Sequence, residues 1–286
     1  MKTQQNQIKI HVMHTGQVIV DEALPFHHKG DLPWAFTGLF RSKSHRIAVP
    51  VSVYLIEHPR GLILIDTGWN KINRSHQLKN LSFQWPVNKA VLPLGQSVDE
   101  QLEKMGIQSS DLDYVLLSHL HCDHADGLEH VRDAKRILVS KEELQAAEHD
   151  HLHYLPHEWK NVSLETFELT DSSDGAWQRS FDLFGDGTIK MIWEPGHSAG
   201  LCATKIHAPG CEEYVMLASD GGYAAKSWTE NLTPGVVINR KAAQRSLSYL
   251  AQTAKDHHCI ECIANHDPAV RPHEIVLPCR KHPEHQ

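Results

Sequence analysis

Ser118-His119-Leu120-His121-Cys122-Asp123-His124 packs three imidazoles and a carboxylate into the pattern H-x-H-x-D-H. It follows Tyr114-Val115-Leu116-Leu117, a short apolar run that reads as a buried strand, so the histidines stand where a strand gives way to a loop. If the backbone stays extended, His119 and His121 project to one side and Leu120 and Cys122 to the other. Two ring nitrogens then converge on one ion. Asp123 and His124 are adjacent and cannot both face it, and the turn at Asp126-Gly127 swings them toward a second position. The local pattern therefore implies a pair of divalent metal ions. Zinc fits imidazole and carboxylate donors best and keeps a position open for water, with iron or cobalt as alternatives.

The chain holds 23 histidines, so a lone H-x-H pair would read as a solvated loop. Four ligand-type side chains directly behind a strand do not, provided distant residues complete the shell. A rival cluster, His149, His151, His153 and His157, follows no buried strand and no carboxylate-histidine pair accompanies it. It reads as a solvated loop at the rim of the site.

At 286 residues with 41% hydrophobic content, the chain can bury a sizeable core, and one domain spanning 1–286 is expected. A net charge of −7 offers no basic face to a phosphate backbone, which counts against a nucleic-acid partner. Met1 to Ile10 lacks an apolar core of the signal-peptide kind, and no apolar run is long enough to span a bilayer. A soluble cytoplasmic protein acting on a small molecule is the reading, with a homodimer compatible. The six cysteines, at 122, 202, 211, 259, 262 and 279, are scattered and read as reduced thiols. Cys259-Ile260-Glu261-Cys262 matches C-x-x-C, but it lies in an apolar run rather than opening a helix, so packing is favoured over redox chemistry. Cys122 faces away from the metals by the alternation above and is left to packing.

From the start of the chain, Ile8, Ile10 and Val12 alternate with polar or larger residues as in a half-buried strand, and Val18 and Val20 resume after a turn at Thr15-Gly16. Residues 25–45 are irregular and aromatic, either a substrate wall or a packed loop. Val49 to Ile56 and Leu62 to Ile65 form a hairpin that ends in Asp66-Thr67-Gly68, where Asp66 is placed to orient a ligand histidine or its loop. Residues 69–95 make a long connection expected to line the pocket mouth. Ser97-x-x-Glu100 and Ser140-x-x-Glu143 are capping boxes, each opening a helix.

The second half repeats the scheme. Thr188 to Trp193 ends in Glu194-Pro195-Gly196-His197, with small residues around the histidine. Tyr214 to Ala218 ends in Ser219-Asp220-Gly221-Gly222-Tyr223. Asn239 caps a helix with Ala243, Leu247, Leu250, Ala251 and Ala254 on one face. Cys259 to Ala264 ends in Asn265-His266-Asp267. Each buried strand thus delivers one ligand-type side chain at its end.

In this order the segments Asp66-Thr67-Gly68, His119 to His124, Gly196-His197, Asp220 and His266 resemble the signature of the metallo-β-lactamase superfamily, over about residues 49 to 268. The resemblance implies an α/β fold, an αββα sandwich of two mixed β-sheets with helices on the outer faces and the site at one edge. It implies that His119, His121 and His197 hold the first metal, that Asp123, His124 and His266 hold the second, that Asp220 bridges them and that Asp66 supports the shell. Tyr223, three residues past Asp220, is similar to the tyrosine of the N-acyl homoserine lactonase family, as are the helix after Asn239 and Asn265-His266-Asp267. Two departures bear on substrate rather than on the shell. Asp126-Gly127 stands where that family usually has two glycines, and Cys122 where a larger apolar residue is common.

The chemistry implied is hydrolysis of a lactone ring, N-acyl homoserine lactones first (quorum quenching). Two ions ~3.5–4 Å apart share a water and lower its pKa toward ~7, and the hydroxide attacks the carbonyl. Tyr223 donates to the oxyanion, and Asp123 moves the proton to the leaving alkoxide. Competing readings are another ester or thioester hydrolase of the same fold, of the β-lactamase or glyoxalase II type, a phosphodiesterase, and a non-hydrolytic metal-binding protein. A di-iron oxygen or nitric-oxide reductase would prefer a carboxylate where His121 stands.

Overall fold

The computed structural model describes residues 7–277; most of the amino-terminal stretch read for a leader, and Cys279, lie outside them. The apolar runs become strands of two mixed sheets. The first contains β1 (Ile8–Asp21), β2 (Arg46–His58), β3 (Gly61–Ile65), β4 (Lys89–Val91), β5 (Leu112–Leu116), β6 (Ile137–Ser140) and β7 (Leu164–Phe167). The second contains β8 (Thr170–Asp171), β9 (Arg179–Asp182), β10 (Ile189–Trp193), β11 (Cys202–His207), β12 (Tyr214–Ser219) and β13 (Cys259–Ala264), after which β14 (His273–Leu277) returns to the first sheet beside β1. Helices α1 (Gln77–Leu81), α2 (Val98–Lys104), α3 (Cys122–Ala125), α4 (Lys141–Ala147), α5 (Ala225–Thr229) and α6 (Arg240–Thr253) occupy the connections.

One buried cluster joins the sheets face to face: Ile10, Ile56, Ile63 and Leu116 from the first pack with Met191, Ile206, Val215, Leu217 and Ile263 from the second. The outer face of the first sheet is covered through Val98, Leu102, Leu128 and Ala147, that of the second through Leu250 of α6. Burial on both faces explains why β12 reads as a continuous apolar run rather than an alternating one.

The hairpin over residues 49–65 is β2 paired antiparallel with β3. Thr15-Gly16 is no turn, however: β1 runs through it with a shift of register between His14 and Gln17, a bulge that bends one long strand. Asn239 caps α6 by accepting the Ala242 N–H at 3.0 Å. The buried face of α6 uses Ala242, Ser246 and Thr253 alongside Ala243, Leu247 and Leu250, whereas Ala254 is exposed. At Ser97 the expected capping box is formed, and the Ser97 hydroxyl makes a further bond. Glu100 accepts the Ser97 N–H at 3.1 Å, and the Ser97 hydroxyl donates to Asp99 at 2.6 Å. No helix among the described residues is long and apolar enough to cross a membrane.

Candidate metal centre

Loops at the same ends of β3, β5, β10, β12 and β13 carry Asp66, His119 to His124, His197, Asp220 and His266, and the sandwich brings them together. The backbone is not extended throughout the motif: after His121 it enters the short helix α3, which turns Asp123 and His124 away from the first pair. His119, His121 and His197 form one group whose ring nitrogens lie within 4.8 Å of each other; Asp123, His124 and His266 form another, and His119, His124 and Asp220 bridge them. All the sequence-expected ligands are present, and all are buried except Asp123 and His121, which are half-buried.

Asp220 stands between the groups. Its Oδ2 lies 3.4 Å from His197 Nε2 and 4.0 Å from His119 Nε2, and its Oδ1 lies 3.3 Å from His124 Nε2 and 3.1 Å from His266 Nε2. His266 Nε2 is also 3.4 Å from Asp123 Oδ2. On the first side His121 Nδ1 and His197 Nε2 approach to 2.8 Å.

The outer nitrogens are fixed. His124 Nδ1 donates to Asp66 Oδ2 at 2.8 Å, His197 Nδ1 to the Val236 carbonyl at 2.9 Å and His266 Nδ1 to the Pro50 carbonyl at 2.7 Å. Each bond commits the ring to the tautomer whose Nε2 lone pair points inward. Asp66 also accepts the Ser118 N–H and hydroxyl, both at 2.8 Å, and the hydroxyl of Ser219 donates to Ser118 Oγ at 2.8 Å. Asp66 and Ser219 both adopt positive φ, at 59° and 47°, an unfavourable backbone held by this network beside the ligands.

Whether cations suit the cluster is answered by its unsatisfied atoms. His119 Nε2, His124 Nε2, His266 Nε2 and Asp220 Oδ1 are buried without a hydrogen-bond partner among the described residues. Leaving such atoms unpaired costs about 1–3 kcal/mol each, and they converge with a hard carboxylate, the donor set that suits zinc and its first-row neighbours. Burial holds His119, His121 and His197 below the ordinary imidazole range, which favours the neutral form a metal requires. Burial also opposes charge on His124 and His266, but the carboxylates of Asp220 and Asp123, joined at His124 by Asp66, outweigh it and raise both. Burial works against the Asp220 carboxylate too, yet His266 and His124 hold it well below the usual range.

Tyr223 is 5% exposed, stacks on His266 with centroids 4.8 Å apart and meets His197 edge-on at 5.8 Å. Burial, followed by the charge of Asp220, pushes its phenol well above the ordinary tyrosine value, so it remains a donor. It lines a cavity of about 230 Å³ with His121, Asp123, Val18, Val20 and Leu24. Residues 25–45 contribute Phe36 and Thr37 to that wall and residues 69–95 contribute Phe83, Val87 and Asn88. Cys122 is no ligand, but it too lines the cavity, and its Sγ accepts from Asn88 Nδ2 at 3.7 Å. A larger groove of about 590 Å³ around His14, Lys104 and Arg271 contains none of these ligand side chains.

Two features escape the sequence reading and a third is only partly read. Glu143, buried completely, does not close the box at Ser140; its carboxylate accepts from Leu120 N–H at 3.0 Å and from Ser198 Oγ and Gly200 N–H at 2.7 Å each. Asp126 accepts from Asn70 N–H at 2.9 Å, Asn73 Nδ2 at 2.6 Å and Asn80 Nδ2 at 2.8 Å, which ties residues 69–95 to the metal motif, and burial pushes its carboxyl up to about 6. Third, His153 leaves the exposed company of His149 and His151 and joins the cavity wall. Gly127 and Gly196 are required by close approach: a Cβ on the first would strike the Thr67 carbonyl, and on the second the backbone nitrogen of Ala243.

A family model described as the metallo-beta-lactamase superfamily matches residues 46–211. The N-acyl homoserine lactonase AttM of Agrobacterium fabrum is 29% identical over 228 residues, covering 77% of this chain and 82% of that one. The N-acyl homoserine lactonase of Bacillus thuringiensis is 26% identical over 215 residues, covering 72% and 77%. A solved N-acyl homoserine lactone hydrolase, with the product N-hexanoyl-L-homoserine bound at its catalytic metal centre, superimposes with a TM-score of 0.72 at 22% identity over 94% of this chain and 95% of that one.

Proposed function

Because this chain belongs to the metallo-beta-lactamase superfamily and is a metal-dependent hydrolase of that fold, we propose that it opens a lactone ring, N-acyl homoserine lactones being the first class of substrate. The observation that carries the reading is the pairing of two ligand groups across Asp220 with a buried tyrosine and an apolar cavity beside them. His119, His121 and His197 would hold one divalent ion, Asp123, His124 and His266 the other, and Asp220 would span both. Zinc is the ion proposed, and one domain carries the whole site.

When bound, such a pair supplies Lewis-acid polarisation of a carbonyl and a water acidic enough to attack near neutrality. The protein's own groups do the rest. Asp66, Val236 and Pro50 lock the imidazoles so that little rearrangement accompanies reaction. Tyr223, whose phenol burial pushes up, donates to the oxygen on which charge develops. Asp123 is the half-buried carboxylate at the cavity floor and carries the proton to the departing alkoxide. Val18, Val20, Leu24 and Phe36 exclude water and receive an acyl chain. The two lactonase relatives at 29% and 26% identity support the substrate class.

The test is a panel of homoserine lactones of graded chain length, an aryl ester, a cephalosporin and a glutathione thioester, run on metal-free, zinc-, cobalt- and iron-loaded protein. Lactone opening that needs metal upholds the proposal. Turnover without metal, or preference for the thioester or cephalosporin, overturns it.

A further inference from the structure

His153 lines two cavities, the apolar one beside the ligand cluster and a mixed one of about 370 Å³ that also exposes His27, Asp31 and Arg240. Its ring centroid is 6.4 Å from that of His121. The ring is fixed. Asp150 Oδ2 accepts from Nδ1–H at 2.6 Å, and Asp150 Oδ1 accepts the backbone N–H groups of Leu152 and His153 at 3.0 and 3.2 Å. A carboxylate on Nδ1 selects the tautomer whose Nε2 carries a lone pair. That Nε2 makes no hydrogen bond with protein among the described residues.

Three uncharged polar side chains of the same wall each give a donor to protein. Thr37 donates to the Trp34 carbonyl at 2.8 Å, Gln84 to the Leu152 carbonyl at 3.2 Å and Asn88 to Cys122 Sγ at 3.7 Å. His153 offers the cavity a ring acceptor aimed by a carboxylate, one ring-width from a candidate ligand and shared by the two cavities.

We propose that His153 Nε2 accepts the amide N–H of an N-acyl lactone, which makes it the residue that selects lactones bearing a secondary amide beside the ring. The proposal rests on the lactone reading above and names the part of the substrate that His153 recognises. With the ring carbonyl at the ligand cluster, the exocyclic amide extends from the adjacent ring carbon, a displacement that the 6.4 Å separation of His121 and His153 accommodates. The chain beyond the amide then enters the apolar space of Val18, Val20 and Leu24.

Two lactones with the same five-membered ring separate the outcomes: N-hexanoyl homoserine lactone, which has the N–H, and γ-decalactone, which does not. For zinc-loaded H153F, kcat/KM for the amide substrate is expected to fall about tenfold or more, through KM, with γ-decalactone changed less than about twofold, as loss of one well-placed hydrogen bond requires. H153Q, which keeps an acceptor, is expected to recover part of the selectivity, and D150A to lose part of it. Because both substrates depend on the same metal ligands, their ratio cancels any disturbance of His121. Equal losses on both lactones, or no loss on either, would overturn the role of His153 while leaving the lactonase reading intact. Wild-type protein inactive on both would sink that reading and this one with it.

Discussion

The Glu143 carboxylate accepts the Ser198 hydroxyl at 2.7 Å, and through that bond the loop carrying His197 is tied to the same group that holds Leu120, between His119 and His121. Three side chains of one ligand group come from two loops, and one buried carboxylate fixes both. Burial pushes the Glu143 carboxyl up, while its donors, led by the Leu120 N–H, pull it back. Glu143→Gln keeps the volume but sets an amide against donors. Zinc affinity is expected to fall about 10–100-fold, the usual effect of losing a group that orients ligands. Competition with a chromophoric chelator measures it; unchanged affinity in a folded variant would show the loops to be held by other contacts.

Tyr223 sits against His266 and His197 with its phenol held protonated by burial. Removing one hydroxyl from a preorganised donor should act on the transition state, not on the bound lactone. Tyr223→Phe is expected to lower kcat by about 100-fold, with KM changed little. Steady-state kinetics on a homoserine lactone decide the matter, and a change confined to KM would move Tyr223 from catalysis to binding.

What the chain reveals before folding, and what it hides, divides along physical lines. The candidate ligands are legible because each follows a largely apolar strand, and a buried strand end is a place where a polar side chain needs a reason to be. Glu143 is hidden because Ser140-x-x-Glu143 is also a helix-capping pattern: the local rule is obeyed by the Glu143 N–H, which donates to Ser140 Oγ at 3.2 Å, while the carboxylate serves loops far away in sequence. His153 is only partly legible: its cluster reads as the rim of the site, but exposed neighbours share its composition and only the fold separates them. Alternation placed Cys122 on the side away from the metals, but α3 begins at that residue and turns it into the cavity wall.

Cys122 is small where it lines the cavity, packed with Val18, Val20, Leu24 and Tyr223. On the proposed lactonase function, its size is expected to set how much chain the cavity admits. Cys122→Phe adds a ring to a space of about 230 Å³, and overpacking of this kind costs about 1–3 kcal/mol when the ligand also needs the volume. The specificity constant for a decanoyl homoserine lactone is expected to fall at least about tenfold relative to the butyryl compound. A chain-length series on both proteins measures this, and an unchanged ratio would place the acyl chain elsewhere, along the cavity of His27 and Arg240.

Glu194, three residues before His197, is 1% exposed. Its Oε1 accepts the Ala176 N–H at 3.3 Å, while Oε2 has no hydrogen-bond partner among the described residues. Burial pushes its carboxyl up to about 8, against an ordinary value of 4.5. A folded-state value above the unfolded one means that the folded protein binds the proton more tightly. The stabilising contribution is therefore complete below about pH 4.5 and is lost as pH rises toward 8, at up to ~1.4 kcal/mol per pH unit. Glu194→Gln keeps the shape of the neutral acid and removes the ionisation. Urea unfolding at pH 5, 6, 7 and 8 should show the variant gaining on the wild type progressively across that range. Parallel curves would mean that Glu194 is already ionised in the fold, with water or a cation reaching Oε2.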